Sequence, residues 1–118
     1  MRLVFLGATL LLGAAGPAFA DDIMANYFGN TVVAKGAMGE MHMHYRADHT
    51  FDANASNMMG SMTFKGSWKF DDKGQLCRVA VNGPPGMPNP LCTPWEAHKI
   101  GDTWTAPGRS ATLVAGIK

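Results

Sequence analysis

Residues Ser61–Phe70 read S-M-T-F-K-G-S-W-K-F, the longest regular pattern in the chain. Apolar residues and a glycine alternate with small polar and basic residues, which is the period of a strand with one buried and one solvated face. The pattern predicts a central amphipathic strand. We expect its apolar side chains to be buried together with residues of the following strand, and this expected core comprises Met62, Phe64, Trp68, Phe70, Leu76 and either Val79 or Val81.

Turn residues separate this strand from similar short segments on both sides. Asp71-Asp72-Lys73-Gly74 predicts a tight turn, and Ala47-Asp48-His49 predicts a second one. The predicted strands are Thr31–Ala34, Met41–Arg46, Thr50–Ala55, Ser61–Phe70, Leu76–Val81, Trp95–Lys99, Thr103–Ala106 and Ala111–Ile117, and Asp22–Tyr27 predicts a brief helical turn. About seven short antiparallel strands favour a small barrel, with a two-layer sandwich as the alternative.

The first twenty residues have the features of a secretory signal peptide. Arg2 is followed by the apolar run Leu3–Ala15, and Ala18-Phe19-Ala20 matches the small-x-small cleavage pattern. The run is too short and glycine-rich for a convincing membrane span, although an uncleaved N-terminal anchor is the alternative. We therefore expect residues 1–20 to be removed and residues 21–118 to form a single β domain, periplasmic or secreted, with no membrane span after cleavage.

The charge and the cysteine content indicate which partners and which covalent link to expect. Removing Arg2 from ten Lys/Arg leaves nine, against nine Asp/Glu, so the formal net charge is zero and no nucleic-acid partner is expected. Cys77 and Cys92 are the only cysteines, and an exported domain of this size benefits from a covalent link, so a Cys77–Cys92 disulfide is expected. A redox dithiol is the weaker interpretation because C-x-x-C spacing is absent.

The segment Met38–Met62 concentrates six methionines and three histidines. Alternation assigns Met41, Met43 and Met62 to the core and places His42 and His44 together on a solvated strand face. Met58 and Met59 are adjacent in a small polar loop, so at least one should be exposed. Thioether and imidazole suit copper, and we therefore predict a copper site formed by His42, His44, Met58, Met59 and the turn residue His49.

Two other interpretations are compatible with these residues. The histidines could be exposed without binding metal, and the chain could be an envelope protein-interaction module or a ligand-binding barrel of unknown partner. Trp95 and Trp104 could anchor such a partner, although core packing is the commoner fate of tryptophan. No nucleophile, base or phosphate-binding motif is visible, so we expect no enzymatic activity and no cofactor besides copper.

An ordered series of landmarks resembles that of a group of known proteins. The landmarks are Gly29-Asn30-Thr31, Gly66-Ser67-Trp68, Leu76-Cys77, a Pro-rich loop leading to Cys92, and Gly101-Asp102-Thr103-Trp104. The series resembles small exported proteins and domains of Gram-negative bacteria, chiefly proteobacteria, of undescribed function. The resemblance implies a compact, disulfide-linked β domain and transfers no catalytic residue.

Overall fold

A computed structural model describes residues 21–37, 39–106 and 108–118, so the expected signal peptide lies outside the described residues. Eight strands follow a short helical turn: β1 (Thr31–Gly36), β2 (Gly39–Tyr45), β3 (Thr50–Asn57), β4 (Gly60–Phe70), β5 (Gln75–Val81), β6 (Leu91–Pro94), β7 (Thr103–Ala106) and β8 (Arg109–Val114). Among the described residues, no helix is long and apolar enough to cross a membrane.

All eight strands belong to one antiparallel sheet, which confirms the all-β class. Their spatial order is β6-β5-β4-β3-β2-β1-β8-β7, so β1 to β6 form a meander. The strand β8 pairs with the edge of β1 that β2 leaves free. The sheet curls into a half barrel, with β6 and β7 as its two edge strands.

One predicted strand is wrong. Residues Trp95–Lys99 have no regular secondary structure, and the strand in this region is β6, four residues earlier. The irregular segment is held against the amino-terminal turn, because the Tyr27 hydroxyl donates to the Glu96 carbonyl at 2.8 Å and the Asn26 amide donates to the His98 carbonyl at 2.9 Å. Alternation in so short a window cannot tell a paired strand from a segment that crosses the sheet.

The predicted alternation of β4 is confirmed from Phe64 onward. Phe64 and Trp68 are buried, and Phe70 is half-buried beside them. Met62 was expected in the core but is exposed, since it lies near the end of β4, beyond the best-packed part of the sheet.

The core prediction for β5 is half right. Leu76 is fully buried, whereas both Val79 and Val81 are exposed. The register explains the difference: Arg78 lies directly opposite Trp68, so it shares the concave face, and Val79 and Val81, at the alternate positions that follow, project from the convex face. The polar residue of this strand is therefore inside.

The predicted Cys77–Cys92 disulfide is confirmed. The two residues are direct partners in the β5–β6 register, with Cα atoms 3.9 Å apart. The bond therefore attaches the four-residue edge strand β6 to its neighbour.

Candidate functional site

His42 and His44 lie together on the outer face of β2, as alternation predicts, while Met43 and Tyr45 are buried on the concave face. Each imidazole already contacts a carboxylate. His42 Nε2 is 2.5 Å from Glu40 Oε2, and His44 Nδ1 is 2.8 Å from Asp52 Oδ2. One ring nitrogen of each histidine is thereby engaged with its own partner.

These contacts change the protonation of the groups. The hydrogen bond with Glu40 raises the pKa of His42, and the same hydrogen bond lowers the pKa of Glu40. Burial alone would raise the pKa of Asp52, but hydrogen bonds from His44 and Arg46 outweigh it and lower that pKa. The outer face of β2 therefore favours the cationic form of His42, which is a poorer metal ligand than the neutral ring.

The pair is also less accessible than the sequence suggests. The His44 side chain is only 12% exposed, and that of His42 is 27% exposed. Residues 116–118 lie against this face: Thr31 donates to the Gly116 carbonyl at 2.8 Å, and the Lys118 carbonyl is 3.2 Å from His42 Nδ1. The face that was expected to be solvated is therefore only partly exposed, and the Lys118 carbonyl lies against His42.

Met58 and Met59 form the two-residue turn between β3 and β4, and they are 100% and 93% exposed. The prediction of an exposed methionine in this loop is confirmed. His42 lies opposite Asn54 in the β2–β3 register, four residues before Met58. At the rise of a strand, those four residues separate the turn from His42 by about 13 Å along the sheet.

His49 lies in the turn at the other end of β3. Its backbone φ is 70°, and its ring stacks on the Trp68 indole with centroids 4.1 Å apart. Nine residue steps along β3 separate it from Met58, a distance of about 30 Å at the rise of a strand. The five predicted ligands therefore occupy three places: His42 with His44, Met58 with Met59, and His49 alone.

A different group of methionines shares one surface. Met41, Ala55 and Met62 are direct partners across β2, β3 and β4, so they form one row on the concave face. The strand spacing puts the two methionine Cα atoms about 10 Å apart, with only the alanine methyl between them. Two flexible thioether side chains can therefore approach each other above Ala55.

This row lines a groove with a volume of about 520 Å³ at one end of the half barrel. Met59 from the β3–β4 turn borders the same groove, as do Ala34 and Pro84. We call this surface, lined by Met41, Met59 and Met62, the methionine groove. The sequence predicted that Met41 and Met62 belong to the core, but it did not predict that they are neighbours. Their proximity depends on the register of three strands, which alternation within one strand does not reveal.

The only other close group of ligand-type atoms among the described residues is unsuitable for metal. Asp71, Cys77 and Cys92 have candidate atoms within 4.8 Å of one another, but both sulfurs belong to the disulfide. The site's chemistry therefore depends on the thioethers and on the histidine–carboxylate pairs.

No protein-family model, curated protein or solved structure matches this chain.

Proposed function

We propose that this protein is a small exported metal-binding protein without enzymatic activity, and that it binds Cu(I) in the methionine groove. The observation that carries the proposal is the row Met41–Ala55–Met62, with Met59 at the edge of the same groove. Thioether sulfur is a soft ligand that selects Cu(I) over harder divalent ions. The disulfide supports an oxidising compartment, and therefore a periplasmic or secreted location.

The histidines contribute less to this proposal than the sequence suggested. Each ring already has a carboxylate partner, and neither imidazole lines the groove, although Glu40, the partner of His42, does. Thioethers carry no proton between pH 5 and 8. Cu(I) binding should therefore be nearly independent of pH, whereas a histidine site would weaken as the imidazoles protonate.

The test is competitive titration of the purified protein with Cu(I) under reducing-agent-free, anaerobic conditions, using a chromogenic Cu(I) chelator as the competitor. We expect one Cu(I) per chain, with similar affinity at about pH 5 and pH 7.5. The variant Met41→Leu with Met62→Leu keeps the apolar volume but removes two sulfurs, so its affinity should fall by at least about tenfold, the effect of losing roughly 1.4 kcal/mol.

The matched control is His42→Gln with His44→Gln, which should bind Cu(I) like the unaltered protein. Loss of binding in the histidine variant, with retention in the leucine variant, would place the metal on the outer face of β2. Absence of Cu(I) binding in the unaltered protein would reject the metal function.

One observation favours a second candidate, an apolar ligand or protein segment bound in the same groove. Met59 exposes its side chain almost completely at the edge of the groove, next to the fully exposed Met58, and methionine-rich surfaces adapt to apolar partners. Leucine substitution separates the two functions, because it preserves apolar binding while removing the thioethers. An apolar ligand retained by the leucine variant would support this alternative.

A further inference from the structure

Arg78 is a buried cation on the concave face of β5. It is 5% exposed, and its guanidinium donates to the Tyr45 hydroxyl at 3.1 Å and to Thr93 Oγ1 at 2.7 Å. Its Cζ atom lies 5.2 Å from the centre of the Trp95 ring system. Two hydroxyls and an aromatic face therefore surround a full positive charge.

This charge has no anionic partner in the part of the chain that the structure describes. The ion pairs there involve His42, His44, Arg46 and His98, and none includes Arg78. Removing an ion from water costs several kcal/mol, which neutral hydrogen bonds and a cation–π contact offset only in part. The site is electrostatically incomplete.

Two N–H donors at this position also lack an acceptor. Arg78 Nε and Trp95 Nε1 are both buried, and neither has a hydrogen-bond partner within the described ranges. They belong to the same guanidinium–indole contact, so both unsatisfied donors and the unbalanced charge occur together. Buried donors are rarely left without an acceptor, because each costs about 1–3 kcal/mol.

We propose that Arg78 and Trp95 form a binding site for a small inorganic anion, the size of chloride. The anion would accept from Arg78 Nε and Trp95 Nε1 and would balance the guanidinium charge. A small ion is indicated because it would have to accept from two donors that belong to one guanidinium–indole contact.

The site is tested by thermal unfolding in sodium chloride and sodium gluconate at equal ionic strength. Gluconate is an anion too large for this position, so it controls for ionic screening. We expect the Tm to rise with chloride and to level off, and to change little with gluconate, since a ligand that binds only the folded state stabilises it. Equal Tm values in the two salts at every concentration would overturn the proposal.

Two variants assign the effect to these residues. Arg78→Met replaces the guanidinium with an apolar chain and should abolish the chloride-specific rise. Trp95→Phe keeps an aromatic ring but removes the N–H, so the chloride concentration at half-effect should increase about tenfold. If Arg78→Met fails to fold, Trp95→Phe decides alone. A chloride effect unchanged in Trp95→Phe would overturn the proposal.

Discussion

The His49 imidazole lies flat on the Trp68 indole, with ring centroids 4.1 Å apart and planes inclined by 13°. The turn that carries His49 also accepts the indole proton, because Trp68 Nε1 donates to the Arg46 carbonyl at 3.0 Å. His49 therefore covers the central tryptophan from solvent and closes the β2–β3 turn. Its role here is packing, which explains why it stands apart from the other histidines.

Trp68→Ala should destabilise the fold by about 3–5 kcal/mol, since Trp68 is 2% exposed and its loss leaves a cavity in the core. Trp68→Phe should cost less, because it keeps most of the apolar contact and loses the hydrogen bond to Arg46. Urea unfolding of both variants measures the difference. Equal losses for the two variants would contradict the packing role.

Gly66→Ala should also be destabilising, by at least about 1–3 kcal/mol. A Cβ at Gly66 would overlap the backbone carbonyl of Val79 on the neighbouring strand, which cannot move without disrupting the sheet. Gly83→Ala is the matched control, as its new methyl would meet the Ala80 methyl at 3.1 Å. Chemical unfolding should rank Gly66→Ala as the less stable of the two.

The Glu40–His42 contact predicts a pH-dependent stability. The pKa of His42 is raised by folding, so its contribution is complete below its unfolded value of about 6.5 and is lost as the pH rises through the folded value. The pKa of Glu40 is lowered, so its contribution is present above about 4.3 and is lost as the pH falls through the folded value. The contact should therefore stabilise the folded protein most between about pH 5 and 6.5.

Thermal unfolding of Glu40→Gln across this range measures the effect. Its Tm deficit should be largest near pH 5–6 and should shrink toward about pH 8.5 and about pH 3. His42→Gln should show the same profile, and the double variant should add nothing to either single variant. Additive deficits would mean that the two groups stabilise the protein independently.

Replacing Cys77 and Cys92 together by serine should reduce stability by about 3 kcal/mol, the loop-entropy value for a closure of this length. Denaturant midpoints of the oxidised protein and the double-serine variant measure it. The β4–β5 turn should be retained in the variant, because the Asp71 carboxylate accepts from the Lys73 and Gln75 amides at 2.9 and 2.8 Å. Amide exchange in that turn would reveal its loss.

Local patterns were predictable from the sequence, whereas alignment between strands was not. The alternation of β4 and the Asp71–Gly74 turn depend on neighbouring residues; the turn was predicted correctly, and so was the alternation from Phe64 onward. The inward position of Arg78 depends on its pairing with Trp68. The sequence instead predicted that the face carrying Val79 and Val81 would be buried, because valine is apolar. The methionine groove likewise depends on the register of three strands. The sequence drew attention to its methionines one by one, but it did not show that they lie side by side.

The short edge strand β6 has a consequence for association between molecules. Its attachment by the disulfide covers residues 75–78 of β5, which pair with the four residues of β6. Release of β6 on reduction would uncover these four residues beside Val79 and Val81, which are already exposed to solvent. Such an edge is a template for strand addition by a second chain. The disulfide thus protects against edge-to-edge aggregation, a function that the unfolding energy of an isolated molecule does not measure.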